Sequence, residues 1–577
     1  MARNSGEQNS PKLSMIRWYQ PLLLLRIGVR ALLATVVGQI VDNRELQAMD
    51  SRDQTNRWDF RNKAGADDLW IDFVADTGDG WDSSFAVASA AAQAQLSINP
   101  DDAGSDTETL PRADLLLLGG DLVYPDPSRE AYQDRMVAPF TQASDLAGES
   151  GDSPLESAAA EVFAVPGNHD WYDGLHAFQD IFCHDNPDNP QWRLGFWRKS
   201  QSHSYFAWQL PAGWWLLAPD VQLDNRINPA QRRYFDEVTS QMQPGDRVII
   251  AAPQPYWSLL DPNEYGEVLR WFAQTCDCAE VQLKLVLTGD LHHYARYGSA
   301  NLQLITAGGG GAFLHPTHTL PTQVALTGLS TAAESSTTQE FTQHEIYPSA
   351  RTSRRLSMRN LLFPVLNWQL SMFIAFVYAM LAWVLETRQF MGNETVSQLF
   401  ESVLMHNAGI GETLNHVVTT IPKSPEFALV VLLTVLGLTA FNENCKPSTR
   451  LLLGSLHTAL HLVGLIVTFV VAVALTDWVN NQFEALSFSF FWFLFLMTVL
   501  GGGVGGVMIG VYLIVSLNFF GANMTNAFSS LRLTSHKNFV RMKIGADGDL
   551  TLYPLGIDDT NGAHSAVQAI EPPIVIR

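Results

Sequence analysis

Gly167-Asn168-His169-Asp170 follows the apolar run Glu161–Val165 and decides how the rest of the chain is read. Glycine lets the backbone leave a strand sharply, and a carboxamide, an imidazole and a carboxylate then project from one short turn. Three other turns share the design. Asp76-Thr77-Gly78-Asp79 follows Leu69–Ala75, Gly120-Asp121-Leu122-Val123-Tyr124 follows Asp114–Leu118, and Gly289-Asp290-Leu291-His292-His293 follows Leu283–Thr288. Side chains beyond the carboxyl ends of neighbouring strands share one crevice. Carboxylates, a carboxamide oxygen and imidazoles gathered there suit a divalent or trivalent ion such as Mn, Fe or Zn.

Outward from these turns the pattern continues. Trp214–Ala218, Arg247–Ala252 and Leu302–Thr306 read as further buried strands, and mixed stretches such as Ser83–Leu96 read as helices. The alternation predicts an α/β domain over residues 66–325.

Gly-Asp-x-x-Tyr at 120–124, Gly-Asn-His-Asp at 167–170 and Gly-x-x-His at 289–292, in this order, resemble the calcineurin-like metallophosphoesterases. The Asp-x-Gly opening at 76–78 and Tyr124 are similar to the purple acid phosphatase branch. The resemblance implies a β-sandwich flanked by helices, with a two-metal centre at the strand ends. It implies that Asp121 bridges the ions, that Asp76, His292 and Tyr124 complete the first site, and that Asn168 belongs to the second. His169 would stand beside the phosphate as acid or hydrogen-bond donor, with Asp170 orienting its ring, while a metal-activated hydroxide attacks a phosphate mono- or diester.

The chain departs from the family at two positions, both on the second ion. Where a His is usual after the Arg247–Ala252 strand, Pro253-Gln254-Pro255 offers Gln254, and where the last motif usually opens Gly-His it opens Gly289-Asp290. Oxygen ligands there would favour a harder ion such as Mn or Mg; alternatively only one ion is held. The second reading is therefore a weak or inactive metal- or phosphate-sensing domain that regulates its membrane helices or a partner. Gly308–Gly311 with His315 and His318 reads either as a phosphate-facing loop, through Gly309 and Gly310, with substitute imidazoles, or as a turn. Asp79 and Asp82 read as turn residues.

Composition bounds the rest. Charged residues are only 16% of the 577, against roughly 25% in soluble domains. The deficit lies after residue 360, in the apolar stretches Leu361–Leu385, Phe427–Phe441, Leu451–Thr476 and Leu486–Phe520. Four crossings are predicted, the last bent or broken around Gly501–Gly506. Arg351, Arg354, Arg355 and Arg359, then Lys446 and Arg450, then Arg532, Lys537, Arg541 and Lys543 flank alternate ends, which places the catalytic domain and tail in the cytoplasm. Met15–Val41 carries Arg17, Arg26 and Arg30 and reads as an interfacial amphipathic helix within an N-terminal segment 1–65. Residues 326–360 read as a linker with a basic juxtamembrane stretch, 361–520 as the membrane region, and 521–577 as a tail with a hairpin at Phe539–Ile544 and Leu550–Leu555. A net charge of −22 argues against nucleic acid as partner; the resemblance implies a phosphate-ester substrate, and the apolar stretches imply the lipid bilayer. Four cysteines are too few for a disulfide framework, and Cys276 and Cys278, one residue apart, read as unpaired thiols. His457 and His461, four apart, share a helix face inside the third span.

Overall fold

The computed structural model describes residues 11–38, 57–62, 68–99, 107–149, 160–184, 193–221, 226–258, 266–329, 338–386, 425–443, 445–482, 489–560 and 565–577. The ends of the N-terminal helix reading (39–41), of the fourth apolar stretch (486–488) and part of the linker (331–337) lie outside them. The chain divides into two compact units: Met1–Ile16 with Arg26–Ser353 and Arg532–Arg577, and Arg17–Leu25 with Arg354–Leu531.

The first unit is a β-sandwich flanked by helices. In one sheet Leu69–Val74, Leu115–Leu118 and Glu161–Ala164 run parallel and side by side. In the other, Trp214–Ala218, Arg247–Ala252, Gln282–Thr288 and Gln303–Ala307 do the same. Alternate residues face alternate sides of a strand. Ile71, Phe73, Leu115, Leu117 and Phe163 meet Trp208, Leu216, Ile249, Leu285 and Ile305 between the sheets. Val74, Leu116, Leu118 and Val162 pack outward with Val87 and Ala91 of the helix Trp81–Ala92 and Phe140 of Ala138–Glu149. Phe235 of Pro229–Thr239 and Phe272 of Glu267–Cys278 cover the second sheet. With both faces covered, these strands carry continuous apolar runs, which is why they were legible.

The tail strand Lys537–Ile544 lies antiparallel to Leu69–Val74, with Val540 opposite Phe73 and Met542 opposite Ile71. Its hairpin partner is Leu550–Ile557. The sequence treats 521–577 as a separate tail; its strands extend the sheet that carries Asp76 and Asp121. Arg541 is fully buried and grips Asp72 with two 2.7 Å bonds, Nε to Oδ1 and Nη2 to Oδ2. Lys537 is also fully buried. Neither cation is therefore a surface charge of the kind the flanking-charge argument counts. Within the stretch read as linker, Thr338–Tyr347 is a strand paired with Tyr294–Gly298, and Ala350–Ser357 is a helix. The N-terminal helix is Pro21–Gly38, with Val29, Leu32 and Leu33 exposed.

The second unit is helical. Pro447–Val479 and Phe491–Phe520 are long and apolar enough to cross a membrane, and Ala350–Leu366 with Trp368–Val384, bent by 60°, makes a third if counted as one span. Pro425–Phe441 is shorter. Ser489–Phe520 is one continuous helix. Its glycines do not break it; they let neighbours approach. A Cβ on Gly505 would fall 2.4 Å from Ile374, and one on Gly510 2.1 Å from the Asn360 carbonyl oxygen.

Candidate metal centre

The four motif turns stand at the ends of their strands, and three of their aspartates adopt the left-handed backbone region: Asp76 at φ 59°, Asp121 at φ 49° and Asp290 at φ 66°. That conformation costs a non-glycine residue roughly 1–2 kcal/mol, and such strain collects at functional sites. The turns fit closely. A Cβ at Gly167 would lie 2.1 Å from an Asp121 carboxylate oxygen, so no other residue fits there.

Tyr124 gathers the first group. Its hydroxyl lies 3.1 Å from Asp76 Oδ1, 3.3 Å from Asp121 Oδ2 and 3.0 Å from His292 Nε2. His292 Nε2 is 3.5 Å from Asp76 Oδ1. The other ring nitrogen of His292, Nδ1, is 2.6 Å from the Phe313 carbonyl oxygen. A carbonyl only accepts, so Nδ1 carries the proton and Nε2 the lone pair, the arrangement a metal-binding imidazole needs. Burial, with His315 and Lys537 nearby, holds His292 well below its usual range and therefore neutral.

Negative charge here has no protein counterion. Burial drives Asp76 well above the usual carboxylate range, and the charges of Asp121 and Asp290 add to it. Asp121 is raised by burial; half-buried Asp290 is pushed to about 7, by desolvation and then by Asp121. Among the described residues no Lys or Arg pairs with any of the three. A bound cation would reverse each shift, so the donor set fits a metal ion. Among the described residues, no three His, Cys, Asp or Glu side chains already stand at coordination spacing. It is the Tyr124 hydroxyl that lies among Asp76, Asp121 and His292.

The residues expected around the second ion are brought nearby with less definition. Asn168 is half-buried and its amide nitrogen donates to the Tyr172 hydroxyl at 3.2 Å. Gln254 is half-buried in the turn after Ala252. Neighbouring Pro253 and the Gly167 amide both come within 3.2 Å of a Cβ built on Gly120. Asp290 donates its backbone N–H to Asp76 at 2.9 Å.

His169 and Asp170 are arranged differently from expectation. The partner of His169 Nδ1 is the Pro125 carbonyl oxygen at 2.8 Å, and its backbone N–H donates to Asp121 Oδ1 at 2.8 Å. Asp170 instead accepts from the Gly167 N–H at 2.8 Å, the Leu122 N–H at 3.3 Å and the Tyr132 hydroxyl. It clamps the second and third motif turns together; Pro125 orients the imidazole. Pro125 is followed by Asp126, which pairs with Arg26 and Arg30 of the N-terminal helix.

The glycine loop has its amides committed. Gly308 N–H donates to the His293 carbonyl, Gly310 N–H to Ala75 and Gly309 N–H to the Asn538 side chain. Cβ atoms on Gly308 and Gly289 would strike Asp76 Oδ2, at 2.6 and 2.4 Å. The loop therefore backs Asp76 and offers no such amides to phosphate. His315 lies behind His292, accepting its backbone N–H at 2.9 Å through Nδ1, and His318 Nδ1 lies 2.8 Å from the Ser353 hydroxyl. Asp79 proves more than a turn residue: fully buried, it accepts from the Ile16 and Phe313 N–H groups. Lys537 donates to the Ala312 carbonyl. No local signal links Lys537 and Asn538 to a site more than two hundred residues upstream; the strand pairing alone does so.

The family model described as calcineurin-like phosphoesterase matches residues 69–294. No curated protein matches the chain. Among solved structures it is similar to GAP50, "the anchor in the inner membrane complex of Plasmodium", at 10% identity and TM-score 0.32, over 50% of this chain and 93% of that one. It is also similar to the purple acid phosphatase PPD1 from yellow lupin (Lupinus luteus) seeds, at 12% identity and TM-score 0.28, over 44% of this chain and 46% of the lupin enzyme. With its four motif turns on the ends of a helix-flanked β-sandwich, the chain carries a calcineurin-like phosphoesterase domain over residues 69–294.

Proposed function

We propose that this domain hydrolyses a phosphate mono- or diester with the help of bound metal, and that its helical unit anchors it in a bilayer. The observation that carries the reading is the convergence of Asp76, Asp121 and His292 on one point at Tyr124. Asp76, Asp121, Tyr124 and His292 would hold the first ion; Asp121, Asn168, Gln254 and Asp290 would hold a second. Ions there supply an acidified water and neutralise charge on the phosphoryl oxygens. The chain's own part is placement. Asp170 fixes the turns that present Asp121 and Asn168, while Phe313 sets the tautomer of His292. Pro125 holds the Nδ1 proton of His169, so any proton that ring exchanges with substrate passes through Nε2.

The membrane arrangement follows from strand pairing. The chain leaves the catalytic unit at residue 354 and rejoins it after residue 531, which supports an even number of crossings. We take it as two or four, with the domain and tail on one face; Arg351, Arg354, Arg355 and Arg359, with Lys446 and Arg450, favour the cytoplasmic one. Anchoring favours an amphiphilic or membrane-delivered substrate.

The test is turnover of a chromogenic phosphate ester by the purified full-length protein with Mn added. Wild type should hydrolyse it and Asp121→Ala should not; equal rates would remove the proposal. The weak or inactive sensing reading draws on Gln254 and Asp290. A wild-type protein that binds metal tightly yet turns over no ester would favour it.

A further inference from the structure

The helical unit holds a partly open pocket of about 280 Å³, lined by Phe373, Ile374, Val430, Leu438, Leu465 and their neighbours, with His457 and His461 at one wall. It has room for about nine water-sized groups at roughly 30 Å³ each. Among the described residues no Asp, Glu, Lys or Arg lines it, so a charged headgroup would find no counterion among them.

The polar side chains of that lining are otherwise accounted for. Tyr378 hydroxyl is 2.9 Å from both the carbonyl oxygen and Nδ1 of His461. The Thr434 hydroxyl donates to the Val430 carbonyl and that of Thr458 to Gly454, each within its own helix. His457 is the exception. It is 1% exposed, and among the described residues neither ring nitrogen has a hydrogen-bond partner. Its ring is held in place, stacked on Tyr512 with centroids 3.7 Å apart and 4.9 Å from His461. A buried polar group without a partner keeps its full desolvation penalty. A lining otherwise so apolar offers a bridging water too few partners to replace one.

We propose that this cavity binds an uncharged amphiphile of about ten heavy atoms in all, an apolar chain ending in a hydroxyl that hydrogen-bonds His457. A neutral imidazole presents one N–H and one lone pair. A hydroxyl both donates and accepts, so it satisfies whichever nitrogen faces the cavity, while an alkane satisfies neither. The site belongs wholly to the helical unit, and nothing in its chemistry requires the phosphoesterase reading.

The experiment uses full-length protein in nanodiscs and a diazirine-bearing analogue of 1-decanol, with labelled peptides identified by mass spectrometry. Label should fall on the helices Pro425–Phe441 and Pro447–Gln482. Excess 1-decanol should suppress it at least tenfold more effectively than decane. His457→Phe should cut labelling at least fivefold. Gly437→Leu should do the same by filling the cavity: Gly437 lines it, and a Cβ there meets nothing within 4 Å. The proposal is overturned if decane competes as well as 1-decanol, if neither variant lowers labelling, or if these helices take no label.

Discussion

Tyr124 and His169 occupy neighbouring positions with different work, and substitution separates them. Tyr124→Phe removes the hydroxyl that contacts Asp76, Asp121 and His292. Metal affinity should fall by about 10–100-fold, as when groups supporting a metal ligand are lost; titration with Mn followed by isothermal calorimetry would show it. His169→Ala leaves those three residues untouched. It should keep the metal content and lower kcat by about 100- to 10,000-fold, the range for a positioned proton-transfer group. At this scale the sequence was informative because each motif states its chemistry locally: a glycine, then a ligand type, after an apolar run. It could not assign hydrogen-bond partners. The family resemblance implied Asp170 as the partner of His169; the fold gives that imidazole the Pro125 carbonyl and gives Asp170 two backbone amides and Tyr132.

Among the elements, the pairing of Lys537–Ile544 with Leu69–Val74 has the largest consequences. It seats a buried guanidinium on Asp72, 469 residues away in sequence. Breaking a buried pair by removing one member leaves an uncompensated charge and costs about 3–5 kcal/mol. Arg541→Ala should lower the stability of the catalytic unit by that amount, read from urea denaturation followed by tryptophan fluorescence. A chain ending at Leu531 should fail to accumulate as folded protein, although the family match ends at residue 294. Retention of metal binding by that truncation would contradict the strand's role. The hairpin itself was legible from its two apolar runs and the turn between them. Its partner strand was not, because a local pattern carries no record of which distant edge it will cover. Phe206–Gln209 and Tyr294–Gly298 escaped for a simpler reason: each is only four or five residues long, and the second carries an Arg.

Over the whole molecule, a helical segment inserted between parts of one sheet supports the proposed even number of crossings. Cys278 is exposed, whereas Cys183, Cys276 and Cys445 are buried. In sealed vesicles, a membrane-impermeant maleimide should therefore reach Cys278 and an introduced Arg577→Cys from the same face. Labelling from opposite faces would break the strand pairing as well as the topology. The apolar stretches were visible from composition, but their geometry was not. Gly501–Gly506 suggested a break, yet those glycines lie inside the unbroken helix Ser489–Phe520 and serve close approach to its neighbours. In the proposed centre, side chains from separate strands form one cation site around Asp121. Metal content settles it most directly. Full-length protein equilibrated with Mn and passed through gel filtration should retain at least one ion per chain, and Asp121→Ala should lose it while keeping the wild-type elution profile. A wild-type chain that emerges without metal, or an Asp121→Ala chain that retains as much, would contradict the account.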